Sequence, residues 1–161
     1  MPRFGELERL QEHQAGILAI LDEKMPLLDG VAAPDIAGLA RARWTLMRAL
    51  TAYSLFKHNT IFDPLIARAT PADAHRLLRM KRACLDLGDE FRSYVQRWSA
   101  SDVGAQWTTY QPAARNMVNR IRQHLAREAV EVAAVLDRNG GLLSRPSPAA
   151  PPRSGPPTPA G

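Results

Sequence analysis

The chain has 161 residues, 45% of them hydrophobic, which supports one domain with a real core and leaves too little for two. Its formal net charge is +5, but Arg and Lys are interspersed with acids apart from one denser run at Arg76, Arg79, Lys81 and Arg82, so nucleic acid is not an expected partner. No apolar run approaches the roughly 20 residues of a membrane span, and Met1 to Gly16 lacks the apolar stretch of a signal peptide, so a cytoplasmic protein with no membrane partner is expected.

Apolar periodicity predicts four helical segments and no strand, an all-α chain. Segment one runs from about Pro2 to Asp22, with Leu7, Leu10, Ile17, Leu18 and Leu21 at helical spacing before Met25-Pro26 interrupts it. Asp29-Gly30 then begins a turn. Segment two starts near Pro34 and carries Leu39, Leu46, Met47, Leu50, Ile61 and Leu65 to about Arg68, with Pro64 expected to bend or end it. Segment three opens on Thr70-Pro71-Ala72-Asp73, a capping hydroxyl followed by proline and an acid in the first turn. Its inward stripe is Leu77, Met80, Cys84, Leu87, Phe91, Tyr94, Val95 and Trp98.

The polar stretch Ser99 to Asp102 separates segment four, which carries Trp107, Tyr110, Ala114, Met117, Ile121, Leu125, Val132 and Leu136 and closes on Asn139-Gly140-Gly141. Pro112 either bends this helix or begins a new one. The bundle domain is placed at residues 1–141. Residues 142–161, rich in Pro, Ala, Ser and Gly, have almost nothing to bury and read as a disordered tail.

Helices of this length joined by short turns pack as antiparallel neighbours, and up-down-up-down is the simplest topology of such a four-helix bundle. That topology sets residue depth. His13 lies about ten residues into segment one, roughly 15 Å up at about 1.5 Å per residue. His58 lies about ten residues before the end of segment two and Glu128 about as far from the end of segment four, with His124 one turn higher. These four share one level and the inward stripe, where polar groups are costly unless they pair or bind a metal. His75 falls with Arg79 and Arg82 on the outer face. Segment three offers Met80, Lys81 and Cys84 at the shared level, and Cys84, the lone cysteine, could add a thiolate. Arg43, on the stripe side of segment two, is expected to pair with an acid such as Asp89 or Glu90. The Trp and Tyr residues, Trp44 included, read as bundle core and ends.

Over about residues 4 to 138 the chain resembles the hemerythrin-like (HHE cation-binding) family. The resemblance rests on Leu-Gln-Glu-His13-Gln-Ala-Gly-Ile, on Leu-Phe-Lys-His58-Asn-Thr-Ile-Phe-Asp-Pro-Leu, and on His124-Leu-Ala-Arg-Glu128. It implies a hemerythrin-like four-helix bundle and one or two non-haem iron ions, with His13, His58, His124 and Glu128 as metal ligands. Members take a histidine from the first helix, His-x-x-x-Glu from the second, one or two histidines from the third and His-x-x-x-Glu or Asp from the fourth. Segment two departs from this pattern. With His58 as its histidine, Phe62 stands at the carboxylate position; with Pro64 aligned to the family's proline, His58 falls near the carboxylate and Ser54 replaces the histidine. Segment three has no histidine at the shared level.

Two functions follow. One is iron binding with oxygen, nitric oxide or redox sensing or iron handling, the partners being a metal ion and a diatomic gas. The other is a metal-free interaction or regulatory module with a protein partner. Phosphate loops, metalloprotease motifs and nucleophile elbows are absent, so the chain is not expected to be an enzyme.

Overall fold

Two of the helices begin where a side chain satisfies a free amide. The computed structural model describes residues 4–31 and 35–138, and among them every element is helical. Helix α1 spans Phe4–Lys24 and passes directly into a tight 3-10 turn at Met25–Leu28, which accommodates Pro26 in its first positions and is closed by the Asp29 amide donating to the Pro26 carbonyl at 3.2 Å. Gly30 follows at φ 101°, a left-handed backbone that favours glycine, so the Asp29-Gly30 turn stands where expected.

Helix α2 spans Ile36–Phe56 and is capped by Asp35, whose carboxylate accepts from the Gly38 amide at 2.7 Å. A Cβ at Gly38 would collide with that carboxylate, so glycine is what lets the cap close. The run continues through a widened π turn at Lys57–Phe62 into α3, Asp63–Arg68. The π turn is marked by the Asp63 amide reaching back five residues to the His58 carbonyl. Proline 64 is the reason for its place: it has no amide to give to the Thr60 carbonyl, and its ring would press on that carbonyl in a regular α-helix. Pro64 therefore neither ends nor simply bends the segment; it opens the turn before it.

Helix α4, Pro71–Ser99, has the cap read from the sequence, with Thr70 Oγ1 accepting from the Asp73 amide at 3.3 Å. Helix α5 runs unbroken from Trp107 to Arg138 with Pro112 in its second turn, so no new helix begins there. The expected starts at Pro2 and Pro34, the Asn139-Gly140-Gly141 close and the tail lie outside the described residues.

Packing closes a ring of neighbours in which α1 meets α2, α2 meets α4, α4 meets α5 and α5 returns to α1. One apolar cluster, including Leu10, Ile17, Tyr53, Ile61, Leu65, Leu77, Phe91, Ile121 and Val132, fills most of the bundle. A second, built from Leu28, Leu39, Trp98, Val103, Trp107, Tyr110 and Ala114, seals the end where the 3-10 turn meets the loop before α5. Trp98 and Trp107 belong to that end; Trp44 does not, being 51% exposed on α2. No helix among the described residues is long and apolar enough to cross a membrane.

Removing the α4 cap with Thr70→Ala is expected to lower stability by about 1 kcal/mol with an unchanged m-value, read by urea denaturation followed by circular dichroism.

A buried ionic cluster in the bundle core

The widened turn puts an unusual run of side chains inside. Phe56, Lys57 and His58 are consecutive and all buried, and Ile61 and Phe62 follow, a broader inner face than a regular helix presents. Lysine 57 is 1% exposed and Glu128, from α5, is 1% exposed. The Lys57 ammonium donates to both Glu128 oxygens, at 3.0 and 2.9 Å, and also lies 4.3 Å from the centre of the Tyr53 ring. The Tyr53 hydroxyl donates to Glu128 Oε1. Gln14 from α1 completes the support, its amide nitrogen reaching the Tyr53 oxygen at 2.9 Å and the Leu125 carbonyl at 3.1 Å. Burial and the Glu128 charge raise the Tyr53 pKa far above its usual value, so Tyr53 remains a donor.

Around this pair sit the remaining polar groups. His124 Nε2, one turn before Glu128, is 3.2 Å from Glu128 Oε2 but out of line for a hydrogen bond, so the two attract as ions. Cys84 Sγ, on α4, is 3.3 Å from His58 Nε2 and 3.9 Å from Ser54 Oγ. The ligand-type atoms of Cys84, His124 and Glu128 all lie within 4.8 Å of one another.

Each of the three titrating groups is displaced by its surroundings. Burial alone would raise the Cys84 thiol, but the interactions with His124 and His58 and the Lys57 charge outweigh it and hold the pKa at about 5. Burial would lower His124, but Cys84 and Glu128 hold it up at about 9. Burial would raise Glu128, but His124 and Lys57 keep it at about 2. At neutral pH the core thus holds two cations, Lys57 and His124, against two anions, Glu128 and the Cys84 thiolate.

The sequence-predicted set divides accordingly. His58, His124 and Glu128 are brought together with Cys84. His13 is not among them: its ring stacks on Phe56 at 5.0 Å and lines a surface recess with Arg9 and Glu12. His75 is exposed, and Lys81 pairs outward with Asp63 at 2.6 Å. Sequence reading missed Lys57 although regular helical spacing from Leu50, Tyr53, Ser54 and Ile61 places residue 57 on the inward stripe, because a lysine there reads as a solvated side chain. The available signal was the spacing itself, which sets residue 57 four after Tyr53 and eleven after Leu46.

A metal ion is a poor fit here. Thiolate, imidazole and carboxylate are suitable donors for iron or zinc. Yet both Glu128 oxygens are already held by the Lys57 ammonium, and a dication added beside it would sit against a buried positive charge. One face of the cluster opens onto a cavity of about 230 Å3 lined by Cys84, Lys57, His124 and Tyr53 at its polar end and by Met47, Leu50 and Phe91 elsewhere. No family model, curated protein or solved structure matches the chain.

Lys57→Met strands the Glu128 carboxylate and is expected to cost about 3–5 kcal/mol, whereas Lys57→Met combined with Glu128→Leu recovers most of that loss; equilibrium denaturation of the pair of variants checks both.

The pH dependence of stability follows from the same shifts. The unfolded chain keeps the Cys84 proton up to its ordinary value of 9.0 while the folded protein releases it at about 5, so this contribution grows as pH rises through that window. The His124 contribution is complete below its ordinary 6.5 and is lost as pH rises to about 9. That of Glu128 is complete above its ordinary 4.5 and is lost as pH falls to about 2. Unfolding free energy should therefore climb from pH about 2 to about 6.5 and then stay level to about 9, where Cys84 and His124 cancel; denaturation across buffers checks the plateau.

Proposed function

We propose that this protein is a metal-independent regulatory module, built on a hemerythrin-like up-down-up-down scaffold, that reads peroxide-type oxidants through the Cys84 thiolate. The observation that carries this reading is that the Lys57 ammonium already occupies both Glu128 oxygens, with Cys84 against His58 and on the wall of the adjoining cavity. The scaffold is supported by the closed ring of helix neighbours and by the level at which His58, His124 and Glu128 meet.

The chemistry needs only the groups present and the oxidant. The Cys84 sulfur attacks one oxygen of a hydroperoxide; the sulfur–oxygen bond forms as the oxygen–oxygen bond breaks. The leaving hydroxide or alkoxide takes the proton of the His124 imidazolium and departs as water or alcohol. Sulfur is oxidised to a sulfenic acid and the peroxide is reduced. Charge remains balanced, because one anion and one cation are lost together, while the ionic contacts that tie α4 to the π turn and α5 through sulfur disappear. With one cysteine in the chain, an internal disulfide cannot follow, so reversal requires an external thiol.

Peroxide-treated protein is expected to gain one sulfenic-acid-specific dione adduct, at Cys84, by peptide mass spectrometry, and His58→Ala is expected to slow alkylation of Cys84 near pH 6 by about three- to tenfold. In the same preparation, purified without a metal-affinity tag, elemental analysis should find metal well below one ion per chain. Iron or zinc at one per chain, lost on His124→Ala, would replace this reading with a metal centre.

A further inference from the structure

A second buried cation, away from the ionic cluster, has no anion among the described residues. Arg43 on α2 is 6% exposed, and its one hydrogen bond is from Nη1 to the Tyr110 oxygen at 3.2 Å, with the guanidinium 5.7 Å from the centre of the Tyr110 ring. Its Nε is buried with no partner. The acids expected to pair with it are engaged elsewhere, Asp89 with Arg92 and Glu90 with Arg120, and no carboxylate contacts Arg43 among the described residues. Tyr110 is itself held by the Tyr94 hydroxyl at 3.2 Å, so the phenols fix the guanidinium without neutralising it.

An unpaired guanidinium in an apolar setting is among the costlier arrangements a core can hold, and a bound anion removes the cost. There is room for one. Arg43, Tyr94 and Tyr110 line a cavity of about 60 Å3 between the two apolar clusters, with Lys24 contributing a second cation that pairs with Glu23. The rest of the wall is hydrocarbon, including Ile20, Leu46, Phe91 and Val118. A bare inorganic ion would leave that wall uncovered, whereas a carboxylate with a short hydrocarbon body meets both halves of it. Guanidinium and carboxylate match in planar geometry.

We propose that this cavity is a binding site for a small aliphatic monocarboxylate, its carboxylate on Arg43 and its hydrocarbon body against Leu46 and Phe91. The site is independent of the Cys84 chemistry, and the Cys84→Ser variant should bind as the full chain does.

Trp98 packs edge-on against Tyr110 at 4.9 Å, so its emission reports on the site. Full-length protein is titrated with sodium acetate, propionate, butyrate and hexanoate, with butyramide as the uncharged control and sodium chloride at matched ionic strength, read by tryptophan fluorescence and calorimetry. Saturable binding is expected for the carboxylates, tightening by about fourfold per methylene until the cavity is full, with none for butyramide. Arg43→Met should weaken butyrate at least tenfold. The proposal is overturned if carboxylates do no more than chloride, if butyramide binds as well as butyrate, or if Arg43→Met binds butyrate unchanged. Should Arg43→Met not fold, the comparison of butyrate with butyramide and chloride on the unmodified chain decides the matter.

Discussion

The Lys57–Glu128 ion pair is the constraint around which this bundle is arranged. Two full charges at 1% exposure each would be prohibitive apart, and together they are tolerable only because the remaining valences are met. Tyr53 donates to one carboxylate oxygen, His124 faces the other, and Gln14 holds Tyr53 in place. Helices α1, α2, α4 and α5 each contribute a side chain to this set or its immediate surroundings, so the polar cluster fixes the register of the bundle as firmly as its apolar stripes do. Apolar packing alone would tolerate small slippage of one helix along another; a shared carboxylate would not.

Much of the fold was legible in the sequence, for reasons that can be named residue by residue. The Thr70 cap, the Asp29-Gly30 turn and the stripe from Leu77 to Trp98 are local patterns, decided by spacing and by backbone preference, and each stands in the structure. Trp44 shows the limit of such reading, since an aromatic on a helix beside an inward position still faces water if no neighbour covers it. Pro64 shows another. Its presence announced an irregularity, but not whether the helix would kink, stop or widen, and that choice set the inner face of α3 relative to that of α2.

The polar core was partly legible. The depth argument gathers His58, His124 and Glu128 because antiparallel helices of known rise leave little freedom in height. It includes His13 as well, and fails there because height alone does not fix azimuth: His13 is turned onto Phe56, one ring short of the cluster. Lys57 was hidden for a different reason: its azimuth is that of Leu46 and Tyr53, but its charge reads as a solvated side chain. Arg43 was placed inward from its spacing, but its partners could not be, since Asp89 and Glu90 found other arginines on neighbouring faces.

The π turn has a consequence for how this core could have arisen and how it can vary. A single extra residue in a helix rotates everything before it relative to everything after it, so the inner face of α2 and that of α3 are set independently on either side of Lys57–Phe62. Proline 64 pins the widening in place, for a chain with an amide at that position could restore the regular ladder and rotate Phe62 and Leu65 relative to Tyr53 and Lys57. How the apolar residues that follow meet the ionic part of the core is thus governed by a five-membered ring that carries no charge and forms no part of the ionic cluster.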